Sequence, residues 1–183
     1  MNLVAGAYTE ELQSQDVAVW IDPIDGSKAF VDGELENVSH MIGITVGGRP
    51  LVGIIHKPFT EKRRNSSRTY VGSVESGLFF FDHSKSDSTT SAPTYVAPFS
   101  NDKQAELAQK GGHFQSHMCF GTNQEQEEMM KSVFKDLMPV KVNRVKGPGN
   151  KFLHLARERS DFFMNLVPNN YSMWDMCASE AIF

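Results

Sequence analysis

The sequence lacks the features that define several large protein classes. Only two of its 183 residues are cysteines, Cys119 and Cys177, and they form no CxxC or Cys/His cluster, which argues against a disulfide framework or a structural zinc site. A net charge of -4 gives no general attraction for nucleic acid, so we expect no nucleic-acid partner. The longest apolar runs, such as GLFFF and MIGITV, are far too short to cross a bilayer.

The beginning of the chain also lacks a targeting pattern. The segment MNLVAGAYTEEL has neither the basic end nor the apolar stretch of a signal peptide, so a cytoplasmic location without membrane association is expected. The length and a hydrophobic content of 40% are sufficient for one domain with a substantial core.

Apolar alternation predicts β-strands in the first half of the chain. The segment DVAVWI (16–21) reads as a buried strand that ends at Asp22, and two hairpins follow, one over NVSHMIGITVGGRPLVGIIHKPF and one over RTYVGSVESGLFFFD. We interpret the basic stretch 60–68 as a solvated loop without assigned chemistry, and 83–93 as a surface loop.

The second half mixes helical and strand patterns. A helix is predicted over 123–137, where Met129, Met130, Val133, Phe134 and Leu137 form a core-type stripe. The strand MPVKVNRV, the glycine turn KGPGNK, the helix FLHLARER, the strand DFFMNLV and a helix after Asp175 follow. This mixture predicts a layered α/β or α+β architecture.

The segment WIDPIDGSKAF, residues 20–30, carries the strongest chemical pattern. Asp-Pro and Asp-Gly are common turn dipeptides, so a simple turn is one interpretation. The other is a metal site, because Asp22 and Asp25 at the end of a strand supply the hard oxygen ligands that Mg²⁺ prefers. In that case the backbone around Gly26 and Ser27 would face a phosphate.

A third acid, Asp175, lies in SMWDMCASEAIF. Taken alone, Asp175 is expected to cap the helix that follows it. Taken together, WIDPIDGS and WDMCASEAI resemble the paired signature of the inositol monophosphatase superfamily of Mg²⁺-dependent, lithium-sensitive phosphatases. The Asp-x-x-Asp spacing differs from the Asp-x-Asp of haloacid-dehalogenase-type phosphatases.

The resemblance is strongest to the 3'(2'),5'-bisphosphate nucleotidases and the inositol polyphosphate 1-phosphatases. It runs through VWIDPIDGSKAFVDGELENVSHMIGITVGGRPLVGIIHKPF and resumes from VKGPGNKFLHLARERSDFF to the end of the chain. It implies a layered α/β/α/β/α sandwich that is incomplete at both ends. Residues 1–183 would then be a partial phosphatase domain without the family's N-terminal helical region and C-terminal end.

The resemblance also implies roles for individual residues. Asp22 would bridge two Mg²⁺ ions, the backbone carbonyl of Ile24 would bind one ion, and Asp25 and Asp175 would bind the other. Gly26 and Ser27 would hold the phosphate, with the Ser27 hydroxyl in place of the family's threonine to orient the attacking water. Gly147 and Lys151 match residues that contact the nucleotide. The implied substrate is a small phosphate ester, either a nucleotide bisphosphate or an inositol phosphate.

Three departures from the family pattern keep other interpretations open. The family has a metal-binding Glu-Glu pair and an aspartate that acts with the threonine as the base, and neither is recognisable here. We interpret Glu10 and Glu11 as solvated acids. The chain stops at Phe183, and the family's nucleotide-holding Ser-His stretch appears here as GTNQ (121–124). The candidates are therefore a bisphosphate nucleotidase, an inositol polyphosphate 1-phosphatase, or a catalytically inactive fragment that acts as a binding module. The isolated chain is expected to be weakly active or inactive.

Overall fold

The computed structural model describes residues 13–60, 66–84, 89–96, 116–120, 140–157, 162–163 and 171–182, together with Glu128, Ser132 and Lys135. These residues form a six-stranded antiparallel sheet, a three-stranded parallel sheet and three α-helices. The mixed α/β fold expected from the sequence is confirmed.

The six strands of the antiparallel sheet lie side by side in chain order. They are β1 (Val17–Asp25), β2 (Ser39–Val46), β3 (Arg49–Lys57), β4 (Ser66–Ser73), β5 (Gly77–Ser84) and β6 (Thr94–Val96). Both predicted hairpins are confirmed. Gly47 and Gly48, with φ of 55° and 78°, connect β2 to β3 because two consecutive positive φ angles are what a tight two-residue hairpin requires.

The parallel sheet has β7 (Ser116–Phe120) between β8 (Val140–Arg144) and β9 (Phe162–Phe163). The α-helices are α1 (Ser27–Val31), α2 (Pro148–Ala156) and α3 (Met173–Ile182), and 3-10 turns cover Ser14–Asp16 and Leu35–Asn37. None of the helices within the described ranges is long and apolar enough to cross a membrane.

Helix α3 packs closely against one face of the antiparallel sheet. Glycine makes this approach possible, since a Cβ on Gly53 would lie 2.0 Å from the Ala178 carbonyl oxygen and one on Gly43 would lie 2.4 Å from the Cys177 Sγ. Cys177 is a free thiol that is fully buried in this contact. The core around it consists of Met41, Ile55, Tyr70, Leu78, Leu153, Ala178 and Ile182.

Several element boundaries differ from the sequence-based predictions. β1 does not end before Asp22 but continues to Asp25. Helix α2 begins at Pro148, so most of the predicted glycine turn is its first turn; proline is well suited there because the first helical N–H has no intrahelical partner. Helix α3 begins at Met173, two residues before Asp175.

The prediction of a surface loop over 83–93 is also partly wrong. β5 continues to Ser84, and the chain returns to pair with it, since the Ser84 N–H donates to the Thr89 carbonyl and the Ser91 N–H donates to the Asp82 carbonyl. At the other predicted loop, β4 begins at Ser66 rather than after Arg68. The serine- and threonine-rich composition of 83–93 therefore led to the prediction of a loop where part of the chain pairs with β5.

Some predictions fall outside the described residues. They are Glu10 and Glu11, the GTNQ stretch, the loop residues 61–65, and most of the predicted helix over 123–137 with its apolar stripe. Within that helix, Glu128 and Ser132 have helical backbone and are exposed.

Candidate metal and phosphate site

A β-bulge places Asp22 and Asp25 on the same face of β1. Residues three apart in a regular strand point to opposite faces. Here Asp22 pairs with Met41 and Asp25 pairs with Ser39, so β1 uses one residue more than β2 over this interval. The extra residue turns Asp25 to the buried face that Asp22 already occupies, and both carboxylates are buried. Pro23 is tolerated in the bulge because no ladder N–H is needed there.

Two hydrogen bonds hold the bulge. The Ile24 N–H donates to Asp22 Oδ1 at 3.1 Å, and the His40 ring donates to the Pro23 carbonyl. Pro23 and Ile24 have no partner in the β1–β2 register. The Ile24 carbonyl, predicted as a metal ligand, therefore lies outside the regular ladder.

Asp25 is held by donors from two other elements. The Ser39 hydroxyl and the Gly149 N–H both donate to Asp25 Oδ2, each at 2.9 Å. Gly149 lies in the first turn of α2, where backbone N–H groups lack intrahelical acceptors and the helix dipole favours a negative charge. Asp25 thus caps α2 from a different part of the chain.

Asp175 both caps α3 and lies beside the other two acids. Its Oδ2 accepts a hydrogen bond from the Ser172 N–H at 2.6 Å, the backward half of a capping box at the start of α3. The same carboxylate also approaches the other two acids. One oxygen from each of Asp22, Asp25 and Asp175 lies within 4.8 Å of the others.

The three carboxylates share a bonding pattern. In each, one oxygen accepts hydrogen bonds, namely Oδ1 of Asp22 and Oδ2 of Asp25 and Asp175, and the second oxygen has no donor among the described residues. A carboxylate that is fixed by a hydrogen bond to one oxygen, and whose second oxygen has no donor, is suited to coordinate a divalent cation.

The electrostatics of the cluster disfavour three bare negative charges. Burial raises the pKa of Asp25 to about 6, and the charges of Asp22 and Asp175 add to this, whereas the Ser39 and Gly149 hydrogen bonds oppose it. The pKa of Asp22 is raised mainly by burial and also by Asp175. A bound cation would relieve both the burial cost and the repulsion.

Gly26 and Ser27 form the turn directly after Asp25. Gly26 has φ of 79°, and a Cβ there would lie 2.4 Å from the Asn37 carbonyl oxygen, so both its conformation and its surroundings require glycine. Ser27 is exposed at the first position of α1. The hydroxyl predicted to act on the substrate side is therefore accessible.

Gly147, predicted to contact a nucleotide, lies against Asp25. It has φ of 78°, and a Cβ at this position would lie 2.9 Å from Asp25 Oδ2. The absence of a side chain allows the start of α2 to approach the acidic cluster. This packing role is independent of any substrate contact.

Lys151 is buried rather than solvated, with 9% of its surface exposed. Its Nζ donates to the Tyr171 hydroxyl at 2.9 Å and lies 5.3 Å from the centre of the Phe163 ring. In this arrangement two aromatic rings lie beside the ammonium group.

Sequence reasoning missed the supporting residues Ser39, His40, Gly149 and Ser172. Ser39 left a detectable signal, because it occupies a core-facing position in the alternation of β2, where a polar side chain needs a buried partner. Gly149 and Ser172 act through backbone N–H groups, which composition does not reveal.

Comparison with known proteins identifies relatives of the whole segment. The chain is 27% identical over 175 residues to mouse 3'(2'),5'-bisphosphate nucleotidase 1, covering 93% of this chain and 48% of that protein. It is 26% identical over 171 residues to the putative inositol monophosphatase 3 of Drosophila melanogaster, covering 93% and 40%. The chain therefore spans about half the length of the curated relatives it matches.

Solved structures show the same fold. SuhB of Mycobacterium tuberculosis aligns with a TM-score of 0.62 at 18% identity, over 91% of this chain and 58% of that chain. The Thermotoga maritima IMPase aligns with a TM-score of 0.64 at 19% identity, over 93% and 55%.

The family model described as the inositol monophosphatase family matches residues 3–183. This match includes both aspartate motifs and nearly the whole chain. The chain belongs to the inositol monophosphatase family.

Proposed function

We propose that this chain carries the metal-binding and phosphate-binding part of a Mg²⁺-dependent phosphate monoester hydrolase. The observation that supports this best is the convergence of Asp22, Asp25 and Asp175, which the fold brings within 4.8 Å although about 150 residues separate the first two from the third. A structural carboxylate cluster without a cation would be unfavourable at neutral pH, so the site fits a bound metal.

The metal ligands are the three aspartates and the Ile24 carbonyl, with two or more Mg²⁺ ions as the proposed cofactor. Oxygen donors of this kind suit Mg²⁺, which polarises phosphate oxygens and lowers the pKa of water when bound. The protein's contribution is to position these ligands through the bulge of β1 and the start of α2.

The residues after the acidic cluster act on the substrate. The left-handed Gly26 allows the chain to turn so that backbone N–H groups of the turn face the phosphate. The exposed Ser27 hydroxyl orients the water that attacks phosphorus in line with the leaving alcohol. The products are inorganic phosphate and the dephosphorylated alcohol.

The metal assignment is tested by thermal unfolding with and without Mg²⁺. At a concentration one hundred times its Kd, Mg²⁺ stabilises the folded chain by about 2.7 kcal/mol, which corresponds to roughly 5–10 °C in Tm. The Asp25→Asn variant loses most of this increase because the charged ligand is gone. The exposed Asp16→Asn variant serves as a matched control and keeps it. An equal Tm increase in Asp25→Asn and wild type contradicts the site.

The proposed substrate is a 3'(2'),5'-bisphosphate nucleotide such as adenosine 3',5'-bisphosphate, with an inositol polyphosphate as the alternative. Lys151→Ala is expected to raise KM for the nucleotide roughly tenfold with a smaller change in kcat, because a cationic donor contributes to binding in both ground and transition states. The assay uses a version of the protein that also contains the family's Glu-Glu region.

Tyr171→Phe is the control for this variant, since it removes the hydroxyl that accepts from Lys151 but keeps the charge. Unchanged kinetics in Lys151→Ala would remove its substrate role. Faster phosphate release from inositol 1,4-bisphosphate than from the nucleotide would favour the inositol polyphosphate 1-phosphatase alternative.

A further inference from the structure

The side chain of Asn150, in the first turn of α2, is buried and hydrogen-bonded at both ends of its amide. The residue is 6% exposed. Its Nδ2 group donates to the Asn37 carbonyl at 2.6 Å and to the Lys146 carbonyl at 3.1 Å, and its Oδ1 accepts a hydrogen bond from Lys57 Nζ. An amide NH₂ group has two donors, and both are used here. The amide therefore has one preferred orientation, which fixes the Asn37 carbonyl relative to α2.

The Asn37 carbonyl is also the group against which Gly26 packs. A Cβ on Gly26 would lie 2.4 Å from the Asn37 carbonyl oxygen, so this oxygen lies directly beside the Gly26 backbone. Asn37 ends the 3-10 turn that leads from α1 to β2. Through one backbone oxygen, Asn150 is thus linked to Gly26 and Ser27, which we call the phosphate turn.

Lys146 makes a second link between the start of α2 and the residues that follow α1. Its Nζ lies 3.1 Å from Asp32 Oδ2 and 2.8 Å from Glu34 Oε1. The other carboxylate oxygen of Glu34 accepts a hydrogen bond from the Asn37 side chain at 3.3 Å. These ion pairs are partly exposed, so we expect each to contribute less than the buried Asn150 contact.

Helix α1 depends on such contacts because it is too short to be stable by itself. It has five residues, of which Ala29 is the buried one. Forming the first turn of a helix is unfavourable in isolation, so the position of α1 is set by the surrounding fold. Ser27 is the first residue of α1, and the contacts that position α1 and the residues after it therefore also position the Ser27 hydroxyl.

We propose that Asn150 is a positioning residue that holds the phosphate turn at a fixed distance from the metal ligands, and that Lys146 supports it. The preceding residue, Gly149, donates its N–H to Asp25. Consecutive residues of α2 thus hold a proposed metal ligand and the phosphate turn, and the helix sets the spacing between them. This inference rests on the proposed function, because it concerns the phosphate that the turn would bind.

The test measures binding of Mg²⁺, and then of inorganic phosphate, to the 183-residue chain by isothermal titration calorimetry. Asn150→Ala is expected to weaken the Mg²⁺-dependent binding of phosphate roughly tenfold, because a buried hydrogen bond no longer holds the phosphate turn. The Kd of this variant for Mg²⁺ should equal that of wild type, since Gly149 still donates to Asp25 and the three aspartates are unchanged.

Further variants separate positioning from a general loss of stability. Leu153→Val shortens a core side chain of the same helix, and it is expected to lower the Tm without changing the affinity for phosphate. Lys146→Met should weaken phosphate binding less than Asn150→Ala does. Lys146→Arg should restore the affinity, because arginine keeps the positive charge that pairs with Asp32 and Glu34.

Three results would overturn the inference. They are wild-type phosphate affinity in Asn150→Ala, an equal loss of Mg²⁺ and phosphate affinity in that variant, and an equal loss of phosphate affinity in Leu153→Val. If Asn150→Ala does not fold, Lys146→Met decides by the same criteria. Failure of the proposed function would differ, because wild type itself would then show no Mg²⁺ binding or no Mg²⁺-dependent phosphate binding, and this inference would fall with it.

Discussion

Asp25 shows how one residue connects three elements. It ends β1, accepts hydrogen bonds from Ser39 of β2 and Gly149 of α2, and lies against Gly147. Its carboxyl is nonetheless disfavoured as an anion by burial. The residue is thus well bonded and electrostatically strained at the same time, which is a common condition at functional sites.

The raised pKa of the Asp25 carboxyl predicts that the stability of the metal-free protein depends on pH. Because the folded-state pKa of about 6 exceeds the ordinary value of 3.8, the folded state binds this proton more tightly than the unfolded state. The resulting stabilisation is complete below about pH 4 and is lost as the pH rises through about 6, a total of about 3 kcal/mol. Asp22 shifts in the same direction.

Urea unfolding of wild type and Asp25→Asn in EDTA from pH 4 to 8 measures this effect. The free energy of unfolding of wild type relative to the variant should fall as the pH rises. Saturating Mg²⁺ should abolish the fall, since metal and proton compete for the same carboxylate. A difference that is constant across this range contradicts the assignment.

At the scale of elements, the strand pattern and the two aspartate motifs were predictable from the sequence, and their exact boundaries were not. Alternating β-branched residues identified both hairpins because one face of the sheet is buried. The bulge at Pro23 and Ile24 was not predictable, since it depends on the register between β1 and β2 rather than on local preference. The start of α2 was misplaced because Gly147 and Gly149, at its N-cap and in its first turn, ordinarily signal a turn, whereas here Asp25 accepts a hydrogen bond from the first turn of the helix.

The contact of α3 with β3 predicts a large effect of a small substitution. Gly53→Ala would place a methyl group 2.0 Å from the Ala178 carbonyl, so the helix must move outward. We expect a loss of roughly 2–4 kcal/mol in unfolding free energy and a weaker response to Mg²⁺, because Asp175 moves with α3.

Chemical denaturation with and without Mg²⁺ measures both effects of Gly53→Ala. Val52→Ala is the control, as it truncates the adjacent residue, whose side chain points to the other face of β3. The packing argument fails if Gly53→Ala and Val52→Ala respond identically to Mg²⁺.

At the scale of the whole molecule, the chain contains the acidic cluster, yet it spans only about half the length of the relatives it matches. On the face of the antiparallel sheet opposite α3, Val19 and Ile21 of β1 are 56% and 58% exposed. Apolar side chains at this exposure favour association with further protein surface.

We predict that residues 1–183 assayed alone release phosphate from adenosine 3',5'-bisphosphate at least 10²-fold more slowly than a version that also carries the family's Glu-Glu region. The reason is that the family's Glu-Glu pair and general-base aspartate, which are not recognisable in this sequence, are both expected to act on the attacking water, and positioned base catalysis is worth about 10²–10⁴ in rate. Phosphate release with Mg²⁺, with and without Li⁺, measures the difference. Comparable lithium-sensitive rates from both versions would show that acids within 1–183, Glu10 and Glu11 first, complete the site.

The separation of Asp175 from the other two aspartates has a consequence for biosynthesis. Asp175 is translated about 150 residues after Asp22 and Asp25, so the growing polypeptide holds these two acids before the third is made. During that interval we expect the incomplete cluster to bind a divalent cation only weakly. We therefore expect the proposed ion to bind only after α3 has docked against the sheet through Gly43 and Gly53.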